Sequence, residues 1–384
     1  MKPLTSSTSP FRLRRSSRWA NVAQIWGWAV LALVGIDVGI NSLFAYPRDV
    51  KTPPSNLELY FDYGRSTEAK LQRMFGPTPE TSAPITGAGW LDQTQFDREP
   101  NQVESGKELM VATYGMSFSQ LLGFAIARTQ DQVTVRNIRA PLAPPNWSYA
   151  AFTMDLGNHQ ADGAVLTIMS QNLPMLNTMT GSTVAFDTPY PYTHPHYELA
   201  GEDLDTIAPS LITETDVRQA LLDSPEQWQT FRQQLERHDP FYDPLLFRES
   251  WLDRSALLRL VRRGYAQVSN QGRRNRVYQA KTGFNPESSQ VKILEALVRD
   301  FAQAARSQDI VPVIYLVNNI GYQDHLDQLL IPLLEAEGIP YVSSSDFAPT
   351  DDPRLFLGDG HFLEEIDEAI AAEVVNVVRQ NRQQ

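Results

Sequence analysis

Leu109-Met110-Val111-Ala112-Thr113-Tyr114-Gly115-Met116-Ser117-Phe118-Ser119 decides the fold. Leu109–Thr113 is a short apolar run of strand type, Gly115 supplies a tight turn, and Ser119–Arg128 repeats apolar residues at helical spacing. A strand that leads through a glycine turn into a helix is the opening unit of a parallel sheet. The pattern continues with strands predicted at Val133–Ile138, Ala164–Met169, Val311–Val317 and Pro340–Val342. Helices are predicted at Tyr149–Leu156, Gln290–Ser307, Asp324–Glu337 and Leu363–Arg379. Strands alternating with helices predict an α/β fold, a three-layer α/β/α sandwich around a short parallel sheet.

Ligands of such sheets bind beyond the carboxyl ends of the strands. Ser117 follows the first strand, Asn172 follows the third, and Asp359-Gly360-His361 precedes the last helix, so all converge on one edge. A serine hydroxyl is a weak nucleophile until a base takes its proton, and that base needs a carboxylate to fix its tautomer. Ser117, His361 and Asp359 therefore form a candidate catalytic set, with Asn172 at the same edge. Bland roles compete with these: Ser117 or Asp359 as helix N-caps, Asn172 as a turn residue.

The chain has 384 residues, 42% hydrophobic and 20% charged, which is ordinary globular usage. It contains no cysteine, which excludes disulfides, thiolate metal sites, cysteine nucleophiles and an acyl-cysteine anchor. Lys2, Arg12, Arg14, Arg15 and Arg18 lie ahead of the first apolar stretch, and removing those five charges from the net of -12 leaves -17 on the rest. An acidic body of this kind is not that of a nucleic-acid binder.

Residues 25–46, from Ile25 to Tyr46, are apolar enough and long enough to cross a bilayer of roughly 30 Å as a helix. Basic residues precede the span, which predicts a cytoplasmic tail at 1–24 and the rest of the chain periplasmic or extracellular, in a single-pass topology at the cell membrane. The rival reading is a cleaved signal peptide; the long apolar core and the poor site at Leu43-Phe44-Ala45 favour an uncleaved signal-anchor. Asp37 inside the span is costly in lipid and points either to a membrane partner helix or to a shallow, snorkelling carboxylate.

Residues 47–106 are rich in Pro, Thr, Gln and Asp and read as a stalk with one helical patch near Glu68–Phe75. Within the domain at 107–384, residues 186–286 break the strand–helix alternation and read as an inserted cap or side wall. Its helical stretches are Glu214–Leu222, Pro225–Arg237 and Arg254–Val268. His194-Pro195-His196 offers two imidazoles without a third ligand at recognisable spacing, so no metal and no cofactor is expected. Arg262-Arg263 with Arg273-Arg274-Asn275-Arg276 is either a solvated surface or a patch for an anionic polysaccharide or lipid headgroup.

These blocks resemble the SGNH/GDSL hydrolases. Gly115-Met116-Ser117 is similar to the family's Gly-Asp-Ser at the end of the first strand. Ser170-Gln171-Asn172-Leu173 resembles its Gly-x-Asn-Asp block after the third. Asp359-Gly360-His361 resembles its last block, with the Asp-x-His spacing of the branch that includes alginate-acetylation proteins. The similarity runs from Lys107 to Val378, interrupted by the insertion, and implies a flavodoxin-like sandwich. Met116 departs from the family's Asp, and Ala140-Pro141-Leu142-Ala143-Pro144-Pro145-Asn146 has no glycine where the block after the second strand supplies one. What the resemblance implies is a bacterial envelope esterase or O-acyltransferase acting on acylated carbohydrate, such as a polysaccharide. Ser117 would be the nucleophile, His361 the base, Asp359 its orienter, and Ser117 and Asn172 the oxyanion donors. The departures motivate an alternative, a catalytically degenerate relative that binds polysaccharide or envelope partner proteins.

Overall fold

The computed structural model describes residues 16–201 and 203–382. Lys2, Arg12, Arg14 and Arg15 of the basic tail lie outside the described residues. The core is a mixed α/β unit built on a five-stranded sheet. In chain order the strands are β1 Leu109–Gly115, β2 Val133–Arg139, β3 Gly163–Met169, a hairpin of β4 His196–Ala200 and β5 Asp203–Ile207, a small hairpin of β6 Tyr278–Gln279 and β7 Gly283–Phe284, then β8 Val311–Val317 and β9 Tyr341–Ser343. The main sheet runs β2-β1-β3-β8-β9, every pairing parallel, with Leu109 opposite Val133, Val111 opposite Gly163, Gly163 opposite Val311 and Ile314 opposite Tyr341. β1, β3 and β8 are buried along their whole length, which is why they read as apolar runs and not as alternating strands.

Helix Ser117–Thr129 packs against the last helix, Glu364–Arg382, while helix Pro145–Asp155 packs against helix Ser289–Arg306. Arg128 joins the first pair with ion pairs to Glu364 (2.6 Å) and Glu368 (3.0 Å). Helix Pro145–Asp155 is tied to the sheet by a fully buried pair. Arg136 Nε and Nη2 donate to the two Asp155 oxygens at 2.7 and 2.6 Å, and Tyr114 Oη donates to Asp155 Oδ2 at 2.8 Å.

The stalk expected at 47–106 is not there. Leu71, Phe75, Trp90, Leu91 and Phe96 belong to the main hydrophobic core, and the segment folds onto the insertion. Ser66 N donates to Asp253 (2.7 Å), Glu249 N donates to Glu68 (2.7 Å), Trp228 Nε1 donates to Glu68, and buried Lys70 donates to the Phe186 carbonyl. None of these partners is near in sequence, so local composition gave no sign of them.

The insertion is helical where expected, at Glu214–Asp223, Pro225–His238 and Ala256–Arg274, and adds the unpredicted hairpin β4–β5. Three of the five arginines in its two basic runs are held by carboxylates. Arg262 is buried on Asp253 (2.5 Å), Arg263 pairs with Asp187 (2.6 Å) and Arg273 with Asp243 (3.2 Å).

The N-terminal helix spans Ser16–Leu43, and its stretch Asn21–Leu43 is long and apolar enough to cross a membrane; it is exposed up to Ile36 and half-buried at Asp37 and from Gly39 to Asn41. Its far end docks on the insertion. Asp37 Oδ1 accepts from Ser255 Oγ and Leu257 N, both at 2.9 Å, and Arg259 Nη2 donates to Asn41 Oδ1 at 3.0 Å. Asp37 is thus bound by the start of the chain's own helix Ala256–Arg274. The carboxylate occupies an N-terminal capping position there.

Candidate active site

β1 ends at Gly115, and the chain turns at once into helix Ser117–Thr129 through extended Met116. The turn needs glycine: a Cβ on Gly115 would sit 2.8 Å from Ser119 Cβ and 2.9 Å from Thr167 Cβ. Ser117 is thereby the first helical residue at the carboxyl edge of the sheet. Its N–H, at the first helical position, has no intrahelical acceptor and finds no other among the described residues.

The loop before the last helix carries the base to meet it. Leu357 N donates to His361 O (2.7 Å) and Gly360 N to Leu357 O (2.9 Å), closing a tight turn in which Gly360 takes φ +88°. That turn curls Asp359 back on its neighbour. Asp359 Oδ1 accepts from His361 N (3.2 Å), and Oδ2 lies 3.1 Å from His361 Nδ1. These two donors, the backbone N–H first, hold the Asp359 carboxyl below the usual carboxylate range. The other ring nitrogen, Nε2, is 2.8 Å from Ser117 Oγ. The imidazole is braced by Phe118, with ring centroids 4.8 Å apart, and Phe118 in turn abuts Phe362 at 5.0 Å. Ser117, His361 and Asp359 are thus brought together in the order hydroxyl, imidazole, carboxylate.

Asn172 does not join them. It is 1% exposed, and its Nδ2 donates to Ala143 O at 2.9 Å. The amide expected to reach an oxyanion is spent on holding the loop after β2. Its Oδ1 is buried without a partner, as are the hydroxyls of Ser119 and Thr167 behind Gly115. In the loop that lacks the expected glycine, Leu142 adopts a left-handed φ of +58°.

A cleft of about 720 Å³ opens beside Ser117. Apolar Ile85, Trp90 and Phe96 line it, together with Tyr190 from the insertion and the polar groups of Gln120 and Arg139. None of these was singled out in the sequence, though two carried a signal. Arg139 ends β2 on the ligand edge, and Gln120 lies one helical turn after Ser117. Trp90 and Phe96 were hidden in the stretch read as stalk, so most of the expected side wall comes from before the sheet and only Tyr190 from the insertion. His194 stands apart. Burial pushes its imidazole down to about 3, with one ring nitrogen 3.4 Å from Thr178 Oγ1 and Nδ1 unpartnered. No protein-family profile, no curated protein and no solved structure matches this chain.

Proposed function

We propose that the chain is a serine hydrolase or O-acyltransferase of SGNH type, tethered to a membrane and acting on acylated carbohydrate outside the cytoplasm. The observation that carries the reading is the 2.8 Å approach of His361 Nε2 to Ser117 Oγ with Asp359 on Nδ1. In the proposed reaction Ser117 Oγ attacks the acyl carbonyl carbon while His361 Nε2 takes the hydroxyl proton. The Ser117 N–H faces the oxyanion, and Asp359 steadies the imidazolium. The tetrahedral intermediate then expels the alcohol, which leaves with the proton from His361. Water or an acceptor sugar hydroxyl reverses the sequence at the acyl-serine.

β1 lies between β2 and β3, both later in the chain, so the connections leave it in opposite directions, as at the switch point where doubly wound sheets bind ligands, and Ser117 follows this strand. It supports a flavodoxin-like, three-layer reading of the α/β unit. The cleft's mix of half-buried Ile85 and Tyr190 with Gln120 and Arg139 suits a sugar, whose faces are apolar and whose rim is hydroxylated. The span Asn21–Leu43 supports the tether. A reporter joined after Gln384 that works only outside the cytoplasm is expected to be active, and activity of a cytoplasm-only reporter there would reverse the topology.

The test of the chemistry is cleavage of p-nitrophenyl acetate and of acetylated oligosaccharides by the purified chain, with labelling by a fluorophosphonate. Ser117→Ala is expected to abolish labelling and to lower the rate by orders of magnitude; equal rates would remove Ser117 as nucleophile. One observation favours the degenerate alternative, the diversion of the Asn172 amide to Ala143 O. A wild-type chain that binds acetylated oligosaccharide without turnover or labelling would establish that reading instead.

A further inference from the structure

Away from the Ser117 cleft, three side chains from two elements converge. His196 and Glu198 are two residues apart on β4, so the pleat turns both to the same face. His238 is the last residue of helix Pro225–His238. Glu198 Oε1 lies 3.3 Å from His196 Nε2 and 3.5 Å from His238 Nδ1, and the three ligand atoms all fall within 4.8 Å of one another.

The surroundings of His196 fix what it presents. Its Nδ1 is 2.9 Å from the backbone oxygen of Asn177, which only accepts, so the Nδ1 proton is committed there. Asn177 is itself locked, with φ +72° and its side chain bonded to both backbone groups of Tyr197 (N at 2.9 Å, O at 2.6 Å). A backbone carbonyl that holds the outer nitrogen of an imidazole is the usual support of a metal-ligating histidine. Facing the Glu198 carboxylate at 3.3 Å, Nε2 carries either a proton or a metal ion that the carboxylate also binds.

The spacing indicates which cation. Ligand atoms about 2.0–2.1 Å from a tetrahedral zinc stand about 3.3–3.4 Å apart. The two carboxylate–imidazole separations, 3.3 and 3.5 Å, match such edges. We infer that His196, Glu198 and His238 form a zinc site that fastens hairpin β4–β5 to the end of helix Pro225–His238. Three protein ligands leave the fourth position to water, and Glu198, the most exposed of the three at 55%, marks the side from which the ion enters.

The test uses the full chain in detergent, stripped with a chelator and then given zinc chloride. About one equivalent should remain bound after gel filtration, and zinc should raise the melting temperature. Cobalt in its place should give the intense visible absorption of tetrahedral coordination. His238→Ala and Glu198→Gln, both at partly exposed positions, should each weaken zinc binding by at least about tenfold and remove the thermal shift. A wild-type chain that retains no zinc overturns the inference and leaves Glu198 as the acceptor of two imidazolium rings. Equal retention by the wild type and both variants overturns it as well.

Discussion

Asp359 holds His361 through both its backbone N–H and its Nδ1, at 3.2 and 3.1 Å, from a carboxylate that is 67% exposed. A water-facing carboxylate steadies an imidazolium less than a buried one does, because the high dielectric weakens their attraction. Asp359→Ala is therefore expected to lower kcat by about 10–100-fold, against roughly 10³-fold or more for His361→Ala. Steady-state kinetics on p-nitrophenyl acetate checks the split, and equal losses would count against it.

Asn172 should behave as a structural residue. Losing its bond to Ala143 O is expected to cost about 1–2 kcal/mol of stability in Asn172→Ala. Catalysis should stay within about threefold, whereas removal of an oxyanion donor costs about 10²–10³-fold. Urea denaturation alongside kinetics separates these outcomes.

The buried Arg136–Asp155 pair makes a sharper stability prediction. Asp155→Ala strands a guanidinium that is wholly shielded from water and should cost about 3–5 kcal/mol. Replacing both partners, Arg136→Met with Asp155→Leu, should cost far less than the single change. A double-mutant cycle by chemical denaturation gives the comparison.

Burial pushes the Asp367 carboxyl up to about 7, with attraction to His361 opposing the shift. An unfolded chain loses this proton near 3.8, so between that pH and 7 the folded state holds one proton more. Stability then falls as pH rises through the window. Asp367→Asn removes the ionisation and should stabilise the chain by about 1–3 kcal/mol at pH 8 while changing little near pH 4. Unfolding at both pH values tests this, and a gap that does not grow with pH would refute it.

The main sheet was legible because β1, β3 and β8 are buried on both faces and so appear as unbroken apolar runs. Ser117, Asp359 and His361 could be read because topology sends strand ends and helix starts to one edge. What escaped the sequence depends on distant partners. Trp90 and Phe96 reach the cleft from a proline- and glycine-punctuated segment with no periodicity. Asn172 looks like a free amide until Ala143 O is seen to take it. His196 stands beside His194 in sequence, yet its spatial partners are Glu198 and His238.

Asp37 carries a mechanical consequence. Its oxygen fits the Ser255 hydroxyl and the Leu257 N–H at only one rotational setting of the N-terminal helix, and Asn41, one turn on, repeats the constraint through Arg259. Were that helix embedded in a bilayer, the joint would work as a keyed shaft and not as a swivel: height and azimuth of the domain would be set together, and the mouth of the cleft would face one bearing relative to the membrane plane. Asp37→Leu would keep the apolar span but release that bearing, turning a fixed pose into a loosely hinged one.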